Sequence, residues 1–157
     1  MWAKRYPGTL LLQLAIPILF SAGCGDDALR DRAQFQTLEL ALDAIDVEND
    51  PHWIHRLEDA EGVVIDNPEI LSVKRMCVSA YREYANAMTE MAAAQTQLKS
   101  LEAAVAAGKA DGLAENYART KDAILQTDNH LNQSRVMIRK CTLDRNELKV
   151  RLKLVRN

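Results

Sequence analysis

From Ile70 onward the apolar residues recur seven apart. Ile70, Cys77, Tyr84, Met91, Leu98 and Val105 form one series, and Val73, Ala80, Ala87, Ala94 and Leu101 form a second, offset by three. Residues three and four apart share one side of a helix, so the two series predict one a/d seam about five heptads long. Gly108-Lys109-Ala110-Asp111-Gly112 interrupts the seam and reads as a tight turn. Beyond it Tyr117, Ile124, Leu131 and Ile138 make one new series, and Leu113, Thr120, Thr127, Ser134, Cys141 and Leu148 make another. Arg145 breaks this second seam near its end, seven residues after Ile138.

The two seams fit each other if the chain folds back on itself. Pairing Cys77 with Cys141 puts the centre of the fold-back at residue 109, inside the glycine-flanked turn, which was located independently of the cysteines. The same register sets Ala80 against Ile138, Ala87 against Leu131 and Ala94 against Ile124. It also sets Tyr84 against Ser134, Met91 against Thr127 and Leu98 against Thr120. Alternating bulk lets two helices approach closely without voids or clashes. Close approach is also what a disulfide requires. The expectation is a Cys77–Cys141 disulfide, with two buried free thiols as the alternative.

The residues before Ile70 predict shorter helices. Phe35, Leu38, Leu42 and Ile45 share one face of a helix running from Asp26 to about Val47, with Asp26, Asp27 and Asp31 suited to its N-terminal dipole. Asn49-Asp50-Pro51 ends it. Asp50 is the expected cap and Pro51 the first residue of a short helix carrying Trp53, Ile54 and Leu57, which stops at Gly62. Asn67-Pro68-Glu69 repeats the start signal for the long helix. The fold class is therefore all-α: a long antiparallel helical hairpin with shorter N-terminal helices packed at its open end. Three segments follow, with residues 1–23 as a leader, 24–69 as acidic helices and 70–157 as the hairpin.

Near the open end Leu71, Met76, Val78 and Tyr81, with Val136, Leu143 and Val150, lie off the seam and need cover from the first two helices. Charge favours that assembly. Residues 24–69 hold thirteen acidic and three basic side chains, whereas residues 135–157 hold eight basic and two acidic. Internal neutralisation is the favoured reading. The sharper alternative is a basic tail for anionic lipid, cell-wall polymer or nucleic acid.

The first residues carry a different signal. Lys4 and Arg5 precede an apolar stretch from Leu10 to Phe20, too short to span a bilayer comfortably and interrupted by Gln13 and Pro17. Ser21-Ala22-Gly23-Cys24 then sets small residues before a cysteine. This resembles the lipobox of bacterial lipoproteins, with Ser21 where those proteins usually carry leucine. The resemblance covers residues 1–24 and implies removal of residues 1–23, a diacylglycerol on the Cys24 thiol and a location on a membrane of the cell envelope. Ser21 and Gly23 also satisfy ordinary secretory cleavage, which would leave Cys24 a free thiol. Pairing of Cys77 with Cys141 leaves Cys24 as the odd cysteine of an exported chain, where lipidation would account for it.

No motif for catalysis stands out. There is no Ser-centred elbow, phosphate-cradling glycine loop or CxxC. His52 and His55, three apart with Glu58 and Asp59 near, resemble part of a metal site without a third strong ligand. His130 sits in a polar stretch. The expected function is a lipid-anchored, non-catalytic scaffold or interaction module, with no cofactor beyond the covalent lipid. Its expected partners are the membrane and an envelope protein, with no nucleic acid. Pilotins, which escort secretion-channel subunits, offer an analogy of size and class only. The alternative is a small-ligand or metal sensor using His52, His55 and the acidic segment. Self-association of two arms through Tyr81 and Met88 is a third reading.

Overall fold

The computed structural model describes residues 24–109 and 112–154. Residues 1–23, expected as a leader, and residues 155–157 lie outside the described residues, as do Ala110 and Asp111 of the turn. Four helices make up the described chain: α1 Cys24–Asp43, α2 Trp53–Gly62, α3 Pro68–Ala106 and α4 Leu113–Arg151. Helices α3 and α4 form the long hairpin, and α1 and α2 pack at its open end.

The start of α3 follows the sequence signal. The Asn67 side chain accepts hydrogen bonds from the backbone N–H of Glu69 and Ile70, and Pro68 takes the first helical position. At the far end Gly108 and Gly112 adopt φ of +72° and +70°, the left-handed region that side-chain-bearing residues avoid. Each leg is 39 residues, roughly 58 Å at the usual helical rise.

The seam forms as expected over most of this length. Ile70, Val73, Cys77, Ala80, Tyr84, Ala87 and Ala94 are buried, opposite Leu148, Cys141, Ser134, Leu131, Thr127 and Thr120. The small polar members keep their hydroxyls satisfied locally. Thr120, Thr127 and Ser134 each donate to the carbonyl four residues back at 2.8 Å. Cys77 and Cys141 are disulfide-bonded, with Cα atoms 5.0 Å apart. Burial fades toward the turn, where Val105 and Tyr117 are exposed. A strict seven-residue repeat drifts around a straight helix by about 20° per heptad. By Tyr117 its series has rotated off the contact line, and the Thr120 series holds it.

The short elements depart from expectation at their ends. Helix α1 stops at Asp43, not near Val47. The Asp46 carboxylate accepts from the backbone N–H of Glu48 and Asn49 and from the Asn49 side chain, which turns the chain there. Helix α2 begins at Trp53. Asp50 is not its cap: its carboxylate accepts from the His52 N–H at 2.8 Å, closing a turn around Pro51 just before the helix. Gly62 is the last helical residue and does not use the left-handed region.

Phe35, Leu38, Leu42, Leu57, Ile70 and Leu148 are fully buried together around the disulfide. The N-terminal half of α1 meets the start of α3, where the Asn67 side chain donates to Asp31 at 2.8 Å. Helix α2 returns alongside α3, with Trp53 edge-on to Tyr84 at 6.0 Å. Leu71, Met76, Val78 and Tyr81 gain the cover they need. Val136, Leu143 and Val150 do not, at 63, 68 and 65% exposure. Helices α1 and α2 lie on one side of the hairpin, and these three side chains point away from the α3 seam, out of their reach.

Closing a loop between residues 64 apart restricts the unfolded chain by about 4 kcal/mol. Cys77→Ser with Cys141→Ser is expected to lower the unfolding free energy by about that amount, read from urea titrations followed by circular dichroism. A wild-type midpoint unchanged by reductant would contradict this.

Candidate functional site

Helix α1 attaches to the hairpin through charge as well as apolar contact. Arg145, the residue that breaks the sequence seam, is buried and reaches back to α1. Its guanidinium donates to Glu39 at 2.8 Å and to Asp43, and Lys149 pairs with Glu39 at 2.5 Å. Glu39 and Asp43 are four apart on α1, and Arg145 and Lys149 are four apart on α4. One turn of each helix therefore faces one turn of the other. Burial works against the Arg145 charge, but the hydrogen bonds it donates to Asp43 and Glu39 outweigh it and hold its pKa above the ordinary arginine value. Burial also pushes the neighbouring Tyr81 phenol up. At the open end Arg151 pairs with Glu69. The basic end of α4 thus meets acidic partners inside the molecule.

Helix α2 is fixed to α3 in the same manner. Arg82 donates two hydrogen bonds to the Glu61 carboxylate at 2.5 and 2.6 Å. The Lys74 ammonium donates to the carbonyls of Glu61 and Val63 near the end of α2. The hydrogen bond from Arg82 is the main reason the Glu61 carboxyl lies below its ordinary value of 4.5.

Above these contacts, toward the turn, lies an open groove of about 470 Å³. Val47 and Glu48 of the α1–α2 connection form one side, Tyr84 of α3 the floor, and Arg135, Ile138 and Arg139 of α4 the other side. Tyr84 and Ile138 belong to a small apolar cluster with Leu131, Trp53 and Met91. Met88, one turn beyond Tyr84, is 45% exposed. Arg135 donates to the Asn132 side chain at 3.3 Å. Among the described residues, neither Arg135 nor Arg139 has an ion-pair partner within 4.0 Å.

The residues singled out by sequence lie in separate places. Cys24 is the first residue of α1, at the open end of the hairpin. Cys77 and Cys141 are together at the centre of the base. The His52 and His55 rings stack at 6.3 Å on the exposed side of α2, and His55 lies 3.1 Å from the Glu58 carboxylate. Among the described residues no group of three or more His, Cys, Asp or Glu side chains is placed to hold a metal ion. His130 is exposed, 3.6 Å from Glu90 of the other leg. Tyr81 is buried, whereas Met88 is exposed. In the sequence Arg135 and Arg139 belong to the basic stretch 135–157. Their spacing around Ile138, matching that of Arg145 and Lys149, was the available signal.

No known protein family, curated protein or solved structure matches the chain.

Arg145→Ala removes the buried cation that ties α4 to Glu39 and Asp43, leaving Glu39 with Lys149 alone, and is expected to cost about 2 kcal/mol of stability, against under about 1 kcal/mol for the exposed Arg151→Ala. Equal losses in the two variants, measured by urea unfolding, would show that the Arg145 contacts do not help to hold α1. The Glu61–Arg82 pair has a pH signature. A carboxyl with a lowered folded pKa stabilises the fold above its unfolded value of 4.5, and that contribution is lost as pH falls through the folded value. Arg82→Gln should therefore flatten the acid limb of the stability profile below 4.5 while lowering stability at neutral pH.

Proposed function

We propose that this chain is a lipid-anchored, non-catalytic protein of the bacterial cell envelope that presents its hairpin as a docking arm. The observation that carries the reading is the uneven cover of the hairpin. Helices α1 and α2 pack against the open-end half alone, and the remainder of two 39-residue helices runs on with only each other for support. A projection of this kind adds surface without adding core. It suits a protein whose task is to reach a partner.

The anchor fits the same geometry. Helix α1 starts at Cys24 and its first half lies against the start of α3. A lipid on Cys24 would therefore sit at the open end, with the turn directed away from the membrane by roughly the length of the legs. No helix among the described residues is long and apolar enough to cross a membrane. The engagement of Arg145, Lys149 and Arg151 by α1 and Glu69 supports reading the basic segment as internal, in place of a nucleic-acid surface.

Two measurements test the reading. Wild-type chain expressed in a bacterium should incorporate a palmitate analogue and fractionate with membranes, and Cys24→Ala should do neither. Photo-crosslinkers along the arm, at Lys109 and at Met88, should capture an envelope protein from intact cells. Unlabelled Cys24 would remove the anchor, and an arm that captures nothing from either position would remove the docking role.

A further inference from the structure

Helix α1 shows how this hairpin holds an amphipathic helix. Its apolar stripe, with Phe35, Leu38 and Leu42, lies on the hairpin, and its carboxylates Glu39 and Asp43 meet Arg145 and Lys149 on the flank. The parts are one apolar stripe, two acids four apart and two bases four apart.

The same parts recur toward the turn with the visiting half missing. Arg135 and Arg139 are four apart on α4, ten residues before Arg145 and Lys149. That is roughly 15 Å along the helix. They flank Ile138, and Tyr84 forms the floor between them and the α1–α2 connection. Tyr84 and Ile138 rest on Met91 and Leu131 beneath them, and Met88, one turn beyond Tyr84 on α3, is 45% exposed. Among the described residues Glu48 is the one carboxylate lining the groove, so two guanidinium groups face one acid. The opening, about 470 Å³, is a segment of a groove and not a closed chamber.

We infer that this groove is a docking site for an acidic amphipathic helix of a partner protein, which presents two carboxylates four residues apart to Arg135 and Arg139 and its apolar face to Tyr84, Met88 and Ile138. The inference rests on the docking-arm reading and names the face and chemistry of the contact. Charge complementarity selects the occupant. Paired arginines on a helix flank donate to carboxylates in fixed geometry, and Val47, Tyr84 and Ile138 give an amphipathic helix a nonpolar contact between the charges. The contact lies against the α1–α2 connection, so a docked helix would continue the layer that α1 and α2 begin.

The test uses the full chain, purified from membranes in detergent, and a fluorescent peptide of residues 26–46 of this same chain as the probe. That peptide carries Glu39 and Asp43, and the α1 site is already filled by the chain's own helix. Saturable binding is expected. Arg135→Glu with Arg139→Glu should weaken it at least about tenfold, as should Glu39→Gln with Asp43→Asn in the peptide. Circular dichroism should show both protein forms equally helical, since the two arginines are exposed. Absence of saturable binding overturns the inference, and so does binding unaffected by the charge reversal, which would lie elsewhere. Association with phosphatidylglycerol vesicles that needs Arg135 and Arg139, without peptide binding, overturns it in favour of a lipid surface. The docking-arm reading fails separately: capture of a partner from Lys109 but not from a crosslinker at Met88 leaves the arm intact and removes this groove.

Discussion

Two helices packed alone can bury only the stripe along which they touch. Everything else in this molecule answers that constraint. Where α3 and α4 stand by themselves, the stripe is narrow and its residues are small: Ala87 and Ala94 on one leg, Thr120 and Thr127 on the other. Small side chains bring the backbones close, and the threonine hydroxyls turn back onto their own helix, so no polar group is left unpaired there. Where large apolar residues lie beside the stripe, near the open end, a third and fourth helix must cover them. Helices α1 and α2 do so on one side. The result is a thick base and a thin arm within one pair of helices.

The charge pattern serves the same division. The acidic segment and the basic end of α4 are far apart in sequence and adjacent in space. Most of their pairs are exposed and worth little individually, since solvent screens them and long side chains resist ordering. Arg145 is different. It takes a core position that the heptad reserves for an apolar residue, and it is tolerable there only because Glu39 and Asp43 arrive with α1. A buried cation tied to one turn of α1 fixes the helix along its axis, which apolar contact alone would leave free to slide.

The sequence made the hairpin legible because several independent signals agreed. The heptad series, the paired glycines and the position of the two cysteines all give the same fold-back, and Asn67-Pro68-Glu69 marks where α3 begins. The ends of the short helices were harder to read. Asp46 and Asp50 both look like helix-boundary residues, and both spend their carboxylates on turns one step from the expected boundary. Local hydrogen bonds of this kind compete with helix ends at similar energy, so composition does not decide between them. The candidate groove was illegible for another reason. Val47, Tyr84 and Ile138 come from three elements, and only their assembly shows that Arg135 and Arg139 face an apolar floor. Val136, Leu143 and Val150 were expected under cover because apolar spacing cannot say on which side of a hairpin two short helices will lie.

The placement of the disulfide gives this division a mechanical sense. Cys77 and Cys141 join the legs inside the base, close to thirty residues of each leg short of the turn, or roughly 43 Å along the helix. A crosslink acts on the ensemble of conformations it forbids, and this one forbids separation of the legs at the base. It places no such limit on the arm, which is held by a narrow seam of alanine, threonine and a few half-buried apolar residues. Local opening costs least where buried apolar contact is sparse. Stability is therefore concentrated in the base, and a lipid at Cys24 would be attached at that end of the molecule. In such an arrangement the groove at Arg135 and Arg139 occupies the junction, where the last cover of the base ends and the free arm begins.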